Sequence, residues 1–301
     1  MKLLKINFVI VALMGMLVAG CNQSDEQFEN GAAPEAAAPV TVHVDGFSVS
    51  QEEFSATRTT TPLANYDGVT VVTLAFYDGG TEVYKSTQLK NDPTTFTTFG
   101  NFSLSLPVGS YTMVVLGYVL YDNDELTLTS PTQAEYTGGC PRETFSATQA
   151  VNITSTSAVN LSATLNRIIA CLQVISTDGK VADVSKVRMS FAAGGKRFSP
   201  TSGLATLNTG SVSTVNNSAA VGTTSTSTAY VFLANDTQTM DVTIETLDGE
   251  GHTVYSTVVE SVPFKRNRKT KLTGSIYPTA AATSGVFSVE AGWLSDYNAN
   301  F

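Results

Sequence analysis

Apolar and polar side chains alternate with a period of two along much of this chain, and turn residues cut the alternation at short intervals. Val40-Thr-Val-His-Val44 is one such stretch, and Phe102-Ser-Leu-Ser-Leu106 is another. A period of two places every second side chain on one face, the pattern of a half-buried strand. Val69 to Tyr77 reads as a further strand, stopped at Asp78-Gly79-Gly80, a hairpin-type turn. Pro107-Val108-Gly109 is expected to turn the chain so that Tyr111 to Leu116 returns. Ile168 to Ile175 is almost continuously apolar and predicts a strand buried on both faces. Tyr230–Leu233, Met240–Leu247 and Val254–Val259 follow, the last two joined by Asp248-Gly-Glu-Gly251. No stretch longer than about ten residues carries a helical period. Composition agrees, since 71 of the 301 residues are Ser or Thr, which favour strands and turns over helices. Hydrophobic residues make up 42%, enough to build a core. The fold class is therefore all-β.

The pattern runs twice. Val72-Thr-Leu-Ala-Phe-Tyr-Asp-Gly-Gly-Thr-Glu-Val83 aligns without gaps to Val187-Arg-Met-Ser-Phe-Ala-Ala-Gly-Gly-Lys-Arg-Phe198, an offset of 115 residues. Val, Phe and both Gly recur in place. That offset is about the length of one small sandwich domain. Two tandem β-sandwiches are expected, at residues 40–160 and 161–301. The Ser/Thr-rich stretch 199–228 is expected to be a long surface excursion of the second.

The N-terminus carries an export signal. Met1-Lys-Leu-Leu-Lys5 is basic, and Ile6 to Gly20 is mostly apolar but too short to span a bilayer. It ends Val18-Ala19-Gly20-Cys21, which resembles a bacterial lipobox. In such lipoproteins the leader, here residues 1–20, is removed and the Cys thiol, here Cys21, is lipidated. The acidic run after Cys21 resembles a surface-export signal of Bacteroidetes-type lipoproteins. Residues 21–39, rich in Ala, Pro, Glu and Gln, are expected to be a flexible tether.

Several motifs occur in an order that resembles the fimbrillin family of Bacteroidetes-type (type V) pili, including Mfa-like and anchor subunits. They are the lipobox, the strand–Gly-Gly–strand unit, and the turn Leu106-Pro-Val-Gly-Ser-Tyr-Thr112. Arg167-Ile-Ile-Ala-Cys-Leu-Gln-Val174 and the run Val262 to Tyr277 come after them. The resemblance implies two transthyretin-like, Greek-key β-sandwiches and no catalytic role. It implies a structural, accessory or adhesin subunit of fimbriae at the cell outer membrane, with other fimbrial subunits and a surface receptor as partners. Subunits of this kind join by strand addition, in which a neighbour's strand fills a groove in an incomplete sandwich. A head-to-tail contact that does not close builds a filament. Similar pilins are cut after an Arg and lose their first strand. The corresponding position here is Arg58, with Thr59 as the new N-terminus, whereas anchor and tip-like members keep theirs. The candidate donor is Val286–Trp293, which equally suits a strand within its own domain. A surface lipoprotein that captures glycans is the competing reading.

Other residues narrow the function classes. Net charge is −9, or −11 without Lys2 and Lys5 of the leader, which disfavours nucleic acid. Two His and three Cys argue against a His- or Cys-rich metal site, and no cofactor is implied. Asp122–Glu125 is acidic but lacks the Gly that a calcium loop needs at its sixth position. His43 and His252 fall in different halves, and neither sits in a nucleophile motif. Cys140 and Cys171 are available for a disulfide outside the cytoplasm. Lys265, Arg266, Arg268, Lys269 and Lys271 form a basic run, expected to be a solvated hairpin end that could also meet an acidic partner or a glycan.

Overall fold

In the computed structural model the described residues are 36–48, 60–120, 126–137, 140–277 and 287–290, without 93 and 95. The first half supplies β1 (Ala37–Ser48), β2 (Thr60–Thr61), β3 (Val71–Asp78), β4 (Thr81–Leu89) and β5 (Asn101–Pro107). It continues with β6 (Gly109–Tyr118), β7 (Leu126–Ser130), β8 (Gln133–Tyr136), β9 (Thr144–Ile153) and β10 (Val159–Arg167). The second half supplies β11 (Ala170–Ser176), β12 (Lys186–Phe191), β13 (Arg197–Phe198), β14 (Ser211–Asn216) and β15 (Thr226–Val231). After these come β16 (Thr237–Leu247), β17 (Thr253–Lys265), β18 (Lys269–Gly274) and β19 (Phe287–Glu290). The helical structure among the described residues is 3₁₀ only, a turn at Leu63–Asn65 and residue 94. The fold is all-β, as the period of two requires.

Each half is built on the same seven-strand pattern. In the first, β4, β3, β6 and β9 lie side by side as an antiparallel sheet, and β5, β1 and β10 form the facing layer. There β1 pairs antiparallel with β5 and parallel with β10. In the second half, β14, β12, β16 and β17 take the places of β4, β3, β6 and β9, all antiparallel. The facing layer is β15, β11 and β18, with β11 antiparallel to β15 and parallel to β18. One core lies between each pair of layers. Val72, Leu74, Phe76, Met113 and Val115 face Val40, Val42, Phe102 and Leu165 in the first. Val187, Met189, Ile244 and Phe264 face Leu172, Val174, Val231 and Leu272 in the second. The halves differ at one corner: β10 also pairs with β9 through Asn166 and Arg167, which curls the first set into one eight-stranded sheet.

A third cluster joins the halves. The hairpin of β7 and β8 pairs with β13, so a short sheet draws on both. Beneath it the outer face of β3 (Val71, Ala75, Tyr77) meets Tyr136, Ile169, Phe198 and Phe232. Phe198 and Phe232 stack with ring centroids 4.1 Å apart. This explains why Val71 to Tyr77 is buried at every position: inner residues face the first core and outer residues face this cluster. Ile168 to Val174 likewise contributes Ala170, Leu172 and Val174 to the second core and Ile168 and Ile169 to the shared cluster.

Four local expectations change. Pro107-Val-Gly109 does not make a hairpin, because β5 and β6 lie in opposite layers. The repeated Gly-Gly behaves differently in its two copies. Gly79 and Gly80 both have positive φ, 52° and 99°, and close the hairpin of β3 and β4. At the second copy only Gly194 is positive, at 73°, and the chain leaves the sheet to form β13. The stretch 199–228 contains β14 and the start of β15, since Ser and Thr suit a pleated surface as well as a turn. The basic run Lys265–Lys271 is a corner between β17 and β18, which belong to different layers, and Arg268 within it is buried.

The Phe198–Phe232 stack predicts a measurable coupling. Phe232→Ala is expected to cost about 3–5 kcal/mol, read as a lowered midpoint in urea. Tryptophan-independent probes of the two halves, such as amide exchange of β3 and of β15, should lose protection together.

Candidate strand-exchange site

The first strand occupies a slot. Its inward side chains Ala38, Val40, Val42 and Val44 are each at most 2% exposed, while Thr41, His43 and Asp45 between them face solvent. On one side Val42 lies opposite Phe102, Val40 opposite Leu104 and Ala38 opposite Leu106. On the other Val40, Val42 and Val44 lie beside Val159, Leu161 and Ala163 of β10. The register slips between Val44 and Gly46, and the strand then continues to Ser48. Both backbone edges of β1 are thus used, and its apolar side chains complete the first core. Without it, β5 and β10 would present unpaired backbone groups above exposed Phe102 and Leu165, a groove shaped for an extended segment.

Polar groups fix the slot along the C-terminal half of β1. Gln88 at the end of β4 is buried; its Nε2 donates to Asn101 O at 2.6 Å and its Oε1 accepts from Gly100 N at 2.7 Å. This holds the entry to β5, and Val44 N donates to Gly100 O at 3.0 Å across it. On the solvent face His43 Nδ1 pairs with Asn101 Oδ1, and His43 Nε2 lies 3.1 Å from Asp45. Further along, one residue past the partner of Ser48, β10 finishes at Arg167, whose side chain is 3% exposed. Its Nη2 lies 2.6 Å from Glu143 Oε1 and its Nη1 donates to Asn267 Oδ1 at 3.0 Å. Its guanidinium sits 4.9 Å from the centre of the Phe145 ring. Tyr66 completes the group by donating to Glu143 Oε1 at 2.8 Å. Burial, then the Glu143 charge, pushes the Tyr66 hydroxyl well above its ordinary range. A buried, fully partnered ion pair of this kind fixes geometry more than it adds stability.

The expected site residues divide as follows. Cys21, Arg58 and Thr59 lie outside the described residues, as do Asp122–Glu125, Val286 and Trp293. Of the proposed donor segment, Phe287–Glu290 forms β19 and pairs antiparallel with β18, Leu272 opposite Val289. Cys140 is half-buried, Cys171 is buried in β11, and both are free thiols. His43 and His252 are both exposed, His43 in β1 of the first half and His252 in the connection between β16 and β17 of the second. The sequence reading missed β10 as the second wall of the slot. Its Ser/Asn alternation is weak, and a parallel partner more than a hundred residues away leaves no local signal.

Two outcomes follow. Val42→Asp is expected to lower stability by about 3 kcal/mol or more, by burying an unpaired charge. Thr41→Asp, one residue away on the solvent face, should stay within about 0.5 kcal/mol of the parent in chemical denaturation. Burial pushes the Cys171 thiol up to about 12, so at pH 8 about one molecule in 10⁴ carries the thiolate. Iodoacetamide should alkylate Cys140 in the folded protein and reach Cys171 only in denaturant, as read by peptide mass mapping.

No curated protein matches the sequence. Several solved structures are similar. The fimbrial anchor protein Mfa2 from Porphyromonas gingivalis is 11% identical over 84% of this chain and 95% of its own, at TM-score 0.48. A Bacteroides ovatus protein provisionally assigned as an adhesin is 13% identical over 88% of this chain and 95% of its own, at TM-score 0.49. A Bacteroides thetaiotaomicron protein provisionally assigned to polysaccharide binding is 11% identical over 85% and 96%, at TM-score 0.49. The model of the family of unknown function DUF6562 matches residues 34–298, and the chain belongs to that family.

Proposed function

We propose that this protein is a structural subunit or an accessory, adhesin-like component of cell-surface fimbriae, joined to its neighbours by strand addition. The observation that carries the reading is the slot of β1. One strand is held by backbone pairing on both edges, and its buried side chains complete a core. The segment after it, residues 49–59, contains Arg58. A cut between Arg58 and Thr59 would separate β1 from the rest of the chain and leave its groove to be filled by a strand of another subunit. The C-terminal segment around Phe287–Glu290 is the candidate donor, since it makes strand pairing by itself at an outer edge of the second half. The chain is then two tandem sandwich domains behind a lipoprotein leader, lipidated at Cys21 and anchored at the outer membrane until any processing. Its chemistry is protein–protein recognition, not turnover.

Mass spectrometry of the N-terminus from native cells, with gel analysis of sheared surface material, tests this. A start at Thr59 with SDS-resistant multimers is expected for a polymerising subunit. A lipidated start at Cys21 in material that copurifies with fimbriae is expected for an anchored accessory subunit. An unlipidated chain found only as a monomer, with none in the sheared fraction, would overturn the proposal.

A further inference from the structure

The corner between β17 and β18 opens onto a cleft of about 510 Å³ between the two halves, within the span of about 300–1,000 Å³ usual for small-ligand sites. Its wall carries Arg167, Lys265, Arg266 and Arg268 against a single acid, Asp236, with Glu143 beneath Arg167. This concentration of positive charge stands out in a chain of net charge −9.

The basic groups are held in place. Asn267 adopts a left-handed conformation, φ 57°, and Arg268 N donates to Lys265 O at 3.2 Å, which makes the corner a tight turn. Asn267 N donates to Ile169 O at 2.9 Å and Cys171 N to Arg268 O at 3.0 Å, which tie that turn to the start of the second half. The bond from Arg167 to Asn267 ties it to the first. Arg266 Nη1 donates to Ser202 O at 2.7 Å, and its Nη2 lies 2.7 Å from Asp236. Gly203 permits that position, because a Cβ there would stand 2.6 Å from Arg266 Nη1. Donors fixed before a ligand arrives lose less freedom on binding.

The lining also selects a ligand class. Thr148, Thr201 and Ser202 add hydroxyls and backbone polar groups, and among the described residues no aromatic ring lines the cleft. A neutral sugar site would be expected to offer a ring for stacking, and peptide grooves offer a free sheet edge or apolar pockets. Fixed cations beside hydroxyls suit a ligand that is both acidic and hydroxylated. We infer that this cleft binds the acid groups of an anionic polysaccharide, through Lys265, Arg266 and Arg268. Lys265, Arg266 and Arg268 lie outside the strands that form the β1 slot, so the inference is tested apart from strand addition and adds a ligand to the surface-adhesin reading.

Affinity electrophoresis of the chain from residue 21 onward tests it, with polygalacturonate, dextran sulfate, neutral dextran and poly-glutamate in separate gels. Retardation by polygalacturonate or by dextran sulfate, lost on raising salt, is expected; which of the two acts assigns carboxylate or sulfate as the acid group. The double variant K265A/R266A should bind at least about tenfold more weakly with an unchanged melting temperature. Lys196→Ala, a basic site outside the cleft, should bind as the parent does. Equal binding by K265A/R266A, no retardation by either polyanion, or equal retardation by poly-glutamate would overturn the inference. Loss of polysaccharide binding in K265A/R266A with multimers intact, or the reverse pattern in the parent, separates this result from the fate of the strand-addition reading.

Discussion

Each half of the molecule is closed by a parallel pair between its first and last strands, β1 with β10 and β11 with β18. Everything else in the sandwich depends on that closure. The antiparallel sheet of β4, β3, β6 and β9 can form from connections of local or intermediate length. The facing layer cannot, because β1 has no parallel neighbour until the chain reaches residue 159. Such long-range pairing must overcome loop-closure entropy before its contacts contribute. The same separation is what the proposed strand addition would use. Its backbone bonds and its four buried side chains are contacts that any extended segment with matching alternation can make. A strand joined to its neighbours by tight hairpins would lack that freedom.

How much of this was legible follows from how far each signal reaches along the chain. The strand at Val40–Val44 was visible because alternation is local, and so was the hairpin at Gly79-Gly80, because its turn needs two residues at positive φ. The same dipeptide at Gly194-Gly195 spells a hairpin and does not make one. There Gly195 is small for a different reason: a Cβ would come within 2.5 Å of Leu207 O. The repeat was correctly seated on β3 and β12, yet it could not show that nineteen residues, 192–210, stand in the second copy where a two-residue turn stands in the first. Spacing in sequence carries no information about which layer the next strand joins. The corner at Pro107–Gly109 shows this most plainly, since its turn residues are those of a hairpin.

The basic run was legible as charge and not as place. Five cations within seven residues read as a solvated end because charged side chains are seldom buried unless paired. The partners that bury Arg268 and fix Asn267 come from β11 and from the end of β10, neither of which is near in sequence. Arg167 illustrates the same limit. Its letter sits at the close of an ordinary polar–apolar alternation, and only the fold brings Glu143, Tyr66, Phe145 and Asn267 around it. A lone Arg at a strand end has no sequence signature that distinguishes it from one in solvent.

The two halves share seven strands in the same order and sense, so their differences show where one copy departs from the common plan. The first copy joins β9 to β10 and inserts the hairpin of β7 and β8. The second separates β17 from β18 by a tight turn, sends β13 across to that hairpin, and adds β19 at an outer edge. These departures meet at two places. β13, β7 and β8 cap the shared apolar cluster, which makes the halves mutually dependent. The turn at Lys265–Arg268 joins β17 to β18 without pairing them, and the cleft lies between this turn, the paired ends of β9 and β10, and residues 200–203. The arrangement therefore assigns different tasks to equivalent positions: closure of the curled sheet in one copy, and an open, positively charged pocket in the other.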